Sequence, residues 1–156
     1  MTWEPVAPRL ERLCRATVLI GEPLVVGDTP LGVRRIIPIS GGRVEGPRLE
    51  GAVLPGGADW QIVRGDGGAM LEARYTIRTV DGALIYVRNV GLRVGPADTL
   101  ARLGRGEPVD PAGYYFRTTP RFETGAAAYA WLNDVIAVGS AVRRPEAVVL
   151  DFYVVT

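Results

Sequence analysis

No histidine and no lysine occur in these 156 residues, so all 18 basic residues are arginines. The first absence removes imidazole as a general acid or base and as the commonest metal ligand. The second removes any Schiff-base amine. A single cysteine, Cys14, excludes an internal disulfide and a multi-cysteine metal cluster. It stands in an apolar stretch, where a thiol is expected to be packed and inert. No apolar run approaches the roughly 20 residues that a membrane helix needs. The opening MTWEPVAPRLER lacks the charged-then-apolar order of a secretory signal. The cytoplasm is therefore the expected compartment, with no membrane partner.

Charge is balanced as well. The net charge is +1, with the arginines scattered among 17 acids. The pairs Arg34–Arg35 and Arg143–Arg144 are too small for a nucleic-acid footprint, and no nucleic-acid partner is expected. No EF-hand-like spacing supports a carboxylate metal site, and neither a metal nor a cofactor is implied. The glycines at 46 and 51 have P-loop spacing, but Ala52 and Val53 stand where Lys and Ser/Thr are required. Proton transfer, if there is any, falls to Asp, Glu or Tyr, with arginine as the electrostatic partner.

The chain does hold 20 glycines, 12 prolines and 47% hydrophobic residues, which suits many short strands and turns. Strands are predicted at 10–20, 24–26, 33–40, 43–46 and 48–54, with Gly41-Gly42 as a hairpin turn and Pro38 at an edge or bulge. A meander follows over 59–91. A short helix runs from Gly95-Pro96 to Leu103, with Gly104 as its cap. A strand at 114–123 is interrupted at Pro120, and an alanine-rich helix of about two turns covers 126–132. The hairpin 135–142/147–155 turns at 144–146. The expected class is all-β: an antiparallel β-barrel of about nine to ten short strands with one or two short helices, forming one domain over 1–156. A barrel removes exposed edges; a sandwich is the alternative.

The meander holds the most specific polar pattern. Two-residue turns at Asp66-Gly67 and Asp81-Gly82 would place Asp59 opposite Arg74 and Arg74 opposite Asn89, with Gln61, Glu72 and Gly91 in the next row. Asp59, Gln61, Glu72, Arg74, Arg78, Asn89 and Arg93 would share one face. Trp60, Ile62, Leu71, Ala73, Tyr75, Ile77, Leu84, Tyr86, Val90 and Leu92 would share the other. The polar face is either a solvated outer surface or the lining of a pocket in the barrel mouth, where Gly91 leaves room for a ligand.

Five stretches occur in order: GVRRIIPISGGRVEGP, LPGGADWQ, ARYTIRTVDGALIYVRNVG, YYFRTTPRFETG and YAWLNDVIAVG. Together they resemble the bacterial domain-of-unknown-function family 3237, also called uncharacterised protein family 0311, from about Leu10 to the C-terminus. The family's recurring pairs fall on Gly41-Gly42, Asp59-Trp60, Arg74-Tyr75 and Asp81-Gly82. Its Phe-Arg-Thr and Tyr-x-Trp-Leu-Asn motifs fall on 116–118 and 129–133. The resemblance implies a compact antiparallel β-barrel and brings no established activity.

The expected function is binding of a small, partly apolar organic molecule in the barrel. Asp59 and Glu123 are the candidate catalytic acids. Trp60, Glu72, Arg74, Tyr86, Asn89, Arg117, Tyr129 and Trp131 are the candidate ligand-binding residues. Chemistry there would be cofactor-free isomerisation, cyclisation or hydration, with arginine stabilising an oxyanion. A non-catalytic carrier or sensor is one alternative. The other is a homo-oligomeric assembly module with a filled barrel. Where Arg117 and Glu123 lead into the helix, the alternative to a pocket rim is a helix plug closing one barrel end, with Tyr129 and Leu132 packing inward.

Overall fold

The computed structural model describes residues 1–156. Its strands are β1 (Leu10–Ile20), β2 (Leu24–Thr29), β3 (Gly32–Glu45), β4 (Gly51–Val53), β5 (Gly57–Val63), β6 (Ala69–Thr79), β7 (Leu84–Val94), β8 (Tyr115–Glu123), β9 (Ile136–Arg143) and β10 (Ala147–Val155). Helix α1 spans Ala97–Gly104, and 3-10 segments cover Pro111–Gly113 and Ala127–Asp134. Strands β1, β10, β9, β8, β7, β6, β5 and β3 pair antiparallel in that order, and β3 returns onto β1. This eight-stranded barrel leaves no open edge in the ring. Strand β4 fills the gap above β5 between β3 and β6, and β2 extends β3 as a hairpin outside the ring. No helix is long and apolar enough to cross a membrane.

Strand β3 explains two differences from the expected pattern. Gly41 and Gly42 are not a turn. They lie within β3 at a bulge facing Leu19 and Ile20, with φ of 150° and 144°, and a Cβ on Gly42 would run into the Thr17 carbonyl. These glycines let one strand bend far enough to serve two sets of partners. Pro38 sits where β3 changes partner, after the β2 pairing ends at Ile36 and before the β1 pairing begins at Ile39, so no ladder bond needs its missing N–H. Strand β4 is shorter than the 48–54 strand expected. Pro120 does not interrupt β8, because the β8–β9 pairing involves only Arg117 and Thr118.

Both meander turns also differ. Arg64 N–H donates to the Gly68 carbonyl at 2.8 Å and Gly67 N–H to the Arg64 carbonyl at 2.9 Å; Thr79, Ala83 and Gly82 repeat the pattern at 2.9 Å for both bonds. Each loop therefore has three residues with glycine third, Gly67 at φ 84° and Gly82 at φ 89°. The aspartates brace these loops from within: Asp66 accepts from Gly68 N–H at 2.9 Å, and Asp81 accepts from the Thr79 hydroxyl. Each extra loop residue shifts the pairing by one. Asp59 faces Ala73, Ala73 faces Asn89, and Arg74 faces Arg88. The two shifts cancel between β5 and β7, so only β6 is turned over relative to the expected faces.

With that register, Leu71, Tyr75 and Ile77 of β6 point inward with Ile85 and Val87 of β7. They pack with Phe122 and Phe152, whose rings meet edge-on at 6.0 Å and 78°. The Ala127–Asp134 segment stoppers one end. It is a 3-10 turn in place of the expected α-helix: Asn133 accepts from Thr124 N–H at 2.9 Å and donates to the Thr124 carbonyl at 3.0 Å, pinning its end onto the exit of β8. Leu132 inserts fully, 1% exposed. Arg48 stacks on Trp131 at 4.0 Å, and Tyr129 donates to Asp81 at 3.0 Å. Helix α1 flanks the opposite end, with Leu103 buried.

Cys14 is fully buried on β1, and burial together with the Asp151 charge pushes its thiol up to about 12. Asp151 lies on the outer face, held bidentately by Arg15 at 2.8 Å and by Arg12 at 3.1 Å.

Candidate functional site

The unstoppered end of the barrel holds a cavity reached by the last residues of β1, β7 and β9 and the first of β8 and β10. Its volume is about 50 Å³, and it opens to solvent at its mouth. Alternation on β5 and β7 aims Asp59, Gln61, Asn89 and Arg93 into it. Tyr75, Thr118 and Arg143 come from β6, β8 and β9, and Ile37, Ile39, Leu71, Phe116 and Leu150 supply apolar wall.

Asp59 is the one buried carboxylate of the chain, 8% exposed. The β5–β6 ladder is open between the Asp59–Ala73 and Ile62–Met70 pairs. There Asp59 Oδ1 takes the place of a ladder carbonyl, accepting Glu72 N–H at 2.9 Å. Oδ2 accepts from Gln61 Nε2 at 3.3 Å, and Gln61 Oε1 in turn accepts from Arg35 Nε at 3.1 Å and Nη2 at 2.5 Å. Burial pushes the Asp59 carboxyl above its ordinary range, held back by the Glu72 N–H, the Arg93 charge, Gln61 and Arg35. A carboxyl in that condition exchanges a proton more readily near neutrality than a solvated one.

Four buried side-chain atoms have no protein partner: Tyr75 Oη, Asn89 Oδ1, Thr118 Oγ1 and Arg143 Nη1. All four residues line this cavity. Buried polar groups are nearly always paired, each orphan costing on the order of 1–3 kcal/mol. Four converging on one space therefore mark it as a place for polar company. Thr118 stands between Gly91 and Gly139 in the same transverse row, and a Cβ at either glycine would strike it.

The expected site residues divide by face. Asp59 and Asn89 are brought together inside, two residues of one row as expected, with Ala73 between them instead of Arg74. Arg74 points outward and pairs with Glu72 at 2.8 Å, and Arg88 binds the same carboxylate at 2.9 Å. Trp60, Tyr86 and Arg117 are also on the outer face. Glu123 is exposed at the far end of β8, and Tyr129 and Trp131 belong to the stopper. The reading of sequence missed Arg35, Tyr75, Thr118 and Arg143. Arg143 carried a signal, as a charge closing an otherwise apolar alternating strand, while Tyr75 looked like ordinary core because of the register.

On the outside, Trp60, Met70, Val90, Leu92 and Tyr115 are all 37% exposed or more and border a shallow groove with Arg34, Glu72 and Arg117 at its rim.

The model of the family described as a protein of unknown function, DUF3237, matches residues 8–155, and the chain belongs to that family. It is 53% identical over 137 residues to a UPF0311 protein of Rhodopseudomonas palustris, covering 88% of this chain and 90% of the relative. A solved structure of a conserved protein of unknown function from the same species superimposes with a TM-score of 0.94 at 48% identity, over 97% of this chain and 100% of that one. The chain is also 26% identical over 149 residues to a hydroalkoxylation enzyme of Penicillium herquei, covering 96% of this chain and 85% of the other.

Proposed function

We propose that the barrel binds a small, partly apolar organic molecule and transforms it by proton transfer at Asp59, in an addition, cyclisation or isomerisation without change of oxidation state. The carrying observation is that four partnerless buried polar atoms and the one buried carboxylate line the same cavity. Asp59 gives or takes the proton, while Asn89, Thr118 and Tyr75 orient the substrate against the apolar wall. The likeness to a hydroalkoxylation enzyme supports this reading, because adding an O–H across a carbon–carbon double bond moves one proton and needs no external electrons. Cytoplasmic action is part of the proposal, and cell fractionation tests it.

The test uses a panel of small phenols with pendant alkenes, reading binding by calorimetry and product as an isomer of unchanged mass. Tyr75→Phe removes only the orphaned hydroxyl. It is expected to leave the melting temperature unchanged or higher, because an unpaired buried group is lost. It should weaken binding of the panel's best ligand by about 2–10-fold, the worth of one hydrogen bond. A destabilised variant with unchanged binding overturns the assignment of the cavity.

A second reading is favoured by the outer groove: self-association of the barrel through that face. Both signs of charge stand on the rim, Glu72 with Arg34 and Arg117, as a self-complementary contact requires. Light scattering should give a mass of two or more chains for the native protein. Leu92→Glu should return it to the mass of one.

A further inference from the structure

Nine ion pairs occupy the protein surface, and Glu72, Glu107 and Asp151 each serve two arginines. The two guanidiniums lining the cavity have no such partner. Arg143 closes β9; its backbone N–H donates to the Tyr114 hydroxyl at 3.1 Å, and its Nη1 is buried without an acceptor. Arg93, near the end of β7, stands over the Phe116 ring at 5.6 Å. Arg35 behind them spends its Nε and Nη2 on the neutral oxygen of Gln61. Among the lining residues, two guanidiniums thus face a single carboxylate, Asp59.

We propose that Arg93 and Arg143 form an anion subsite, so that the natural ligand is an organic anion, a carboxylate or phenolate on an apolar body, seated with its charged end against these two side chains. The inference rests on the cavity being a ligand site, and it names what that ligand carries. Clustered cations in a low-dielectric pocket repel one another and lose hydration. Burial and the neighbouring Arg143 and Arg35 charges bring Arg93 down to about 10, and burial with Arg35 lowers Arg143. An incoming anion relieves that repulsion, and the planar guanidinium fork matches a carboxylate in two bonds. The rest of the cavity is wall for hydrocarbon: Ile37, Ile39, Leu71, Phe116 and Leu150. A bare inorganic anion satisfies the arginines and leaves this wall without contacts.

Titration with benzoate, benzamide and inorganic phosphate tests the assignment. Native protein is expected to bind benzoate at least about tenfold more tightly than either benzamide or phosphate, the scale of one charge-assisted interaction. Arg143→Gln and Arg93→Gln should each bring benzoate to within about threefold of benzamide, with benzamide affinity retained. Nuclear magnetic resonance of the native protein adds a reading free of any folding effect: the Arg93 and Arg143 Nε–H signals should shift with benzoate and not with benzamide. Equal binding of benzoate and benzamide, a preference surviving in both variants, or phosphate matching benzoate overturns the anion subsite while leaving the ligand cavity standing. Failure of both aromatic probes to bind removes the cavity reading and the subsite together.

Discussion

Replacing Asp59 by Asn is expected to lower turnover of the best substrate in the phenol panel by about 10²–10⁴-fold, the usual worth of a general acid or base. The substitution keeps the shape of the site. The amide oxygen still accepts Glu72 N–H across the open stretch of the β5–β6 ladder, so the strand pairing is preserved. What disappears is the dissociable proton, together with the carboxylate charge and the Oδ2 acceptor of Gln61 Nε2. KM should change little, because the proposed function gives the orienting contacts to Asn89, Thr118 and Tyr75. Unchanged turnover in a folded variant would end the catalytic role of Asp59 and leave the barrel as a carrier or sensor.

The same pair of proteins gives a second reading, through stability. Because burial raises the Asp59 pKa in the folded state, the native protein keeps its proton at pH values where the unfolded chain has lost it. The folded state therefore binds more protons across that window, and stability must fall as pH rises from the ordinary carboxylate value to the raised one. Above the raised value the loss is complete and the curve is flat. Thermal melts from about pH 4 to about pH 8 should show this fall in the native protein relative to Asp59→Asn. A native-minus-variant difference that grows with pH contradicts a raised pKa.

The second large effect concerns Gly91. A Cβ there would stand 2.5 Å from the Arg117 carbonyl oxygen and 2.5 Å from Thr118 Cγ2. Neither can yield cheaply, since Arg117 and Thr118 are the two residues by which β8 holds β9 as well as β7. Gly91→Ala should accordingly cost about 3 kcal/mol or more, at the upper end of overpacking, visible as a lowered midpoint in chemical denaturation. Gly104→Ala is the matched control: nothing lies within 4 Å of the added methyl, so the helix gains its usual small benefit. Equal behaviour of the two variants would show that the strands beside Gly91 part easily.

Much of this was legible before the fold was known. Period-two alternation put Asp59, Gln61, Asn89 and Arg93 on one face, and the structure keeps them there. Strand β6 was read upside down because Asp-Gly serves two kinds of hairpin. It fits the centre of a two-residue turn, and it equally fits the last two positions of a three-residue loop, where aspartate braces the turn and glycine takes the positive φ. Choosing between them moves Tyr75 from the apolar face opposite Asp59 to the face that Asp59 and Asn89 share, and so to the cavity. Arg35 is illegible for another reason, and so is its nearness to Arg143. The two lie 108 positions apart in the chain and feel each other's charge only because β3 closes onto β1, a non-local event that no window of sequence contains. Direction sets Glu123 apart from the cavity: β8 starts at the mouth and carries its last residue to the opposite end.

The Leu132 stopper has a kinetic meaning. A barrel plugged at one end is a blind well, so on the proposed function substrate and product would use the same doorway and never pass each other. For a reaction that only rearranges its substrate, both occupants have the same mass and nearly the same shape. Under that proposal departure would weigh on the cycle as chemistry does, and accumulated product would compete at the entrance.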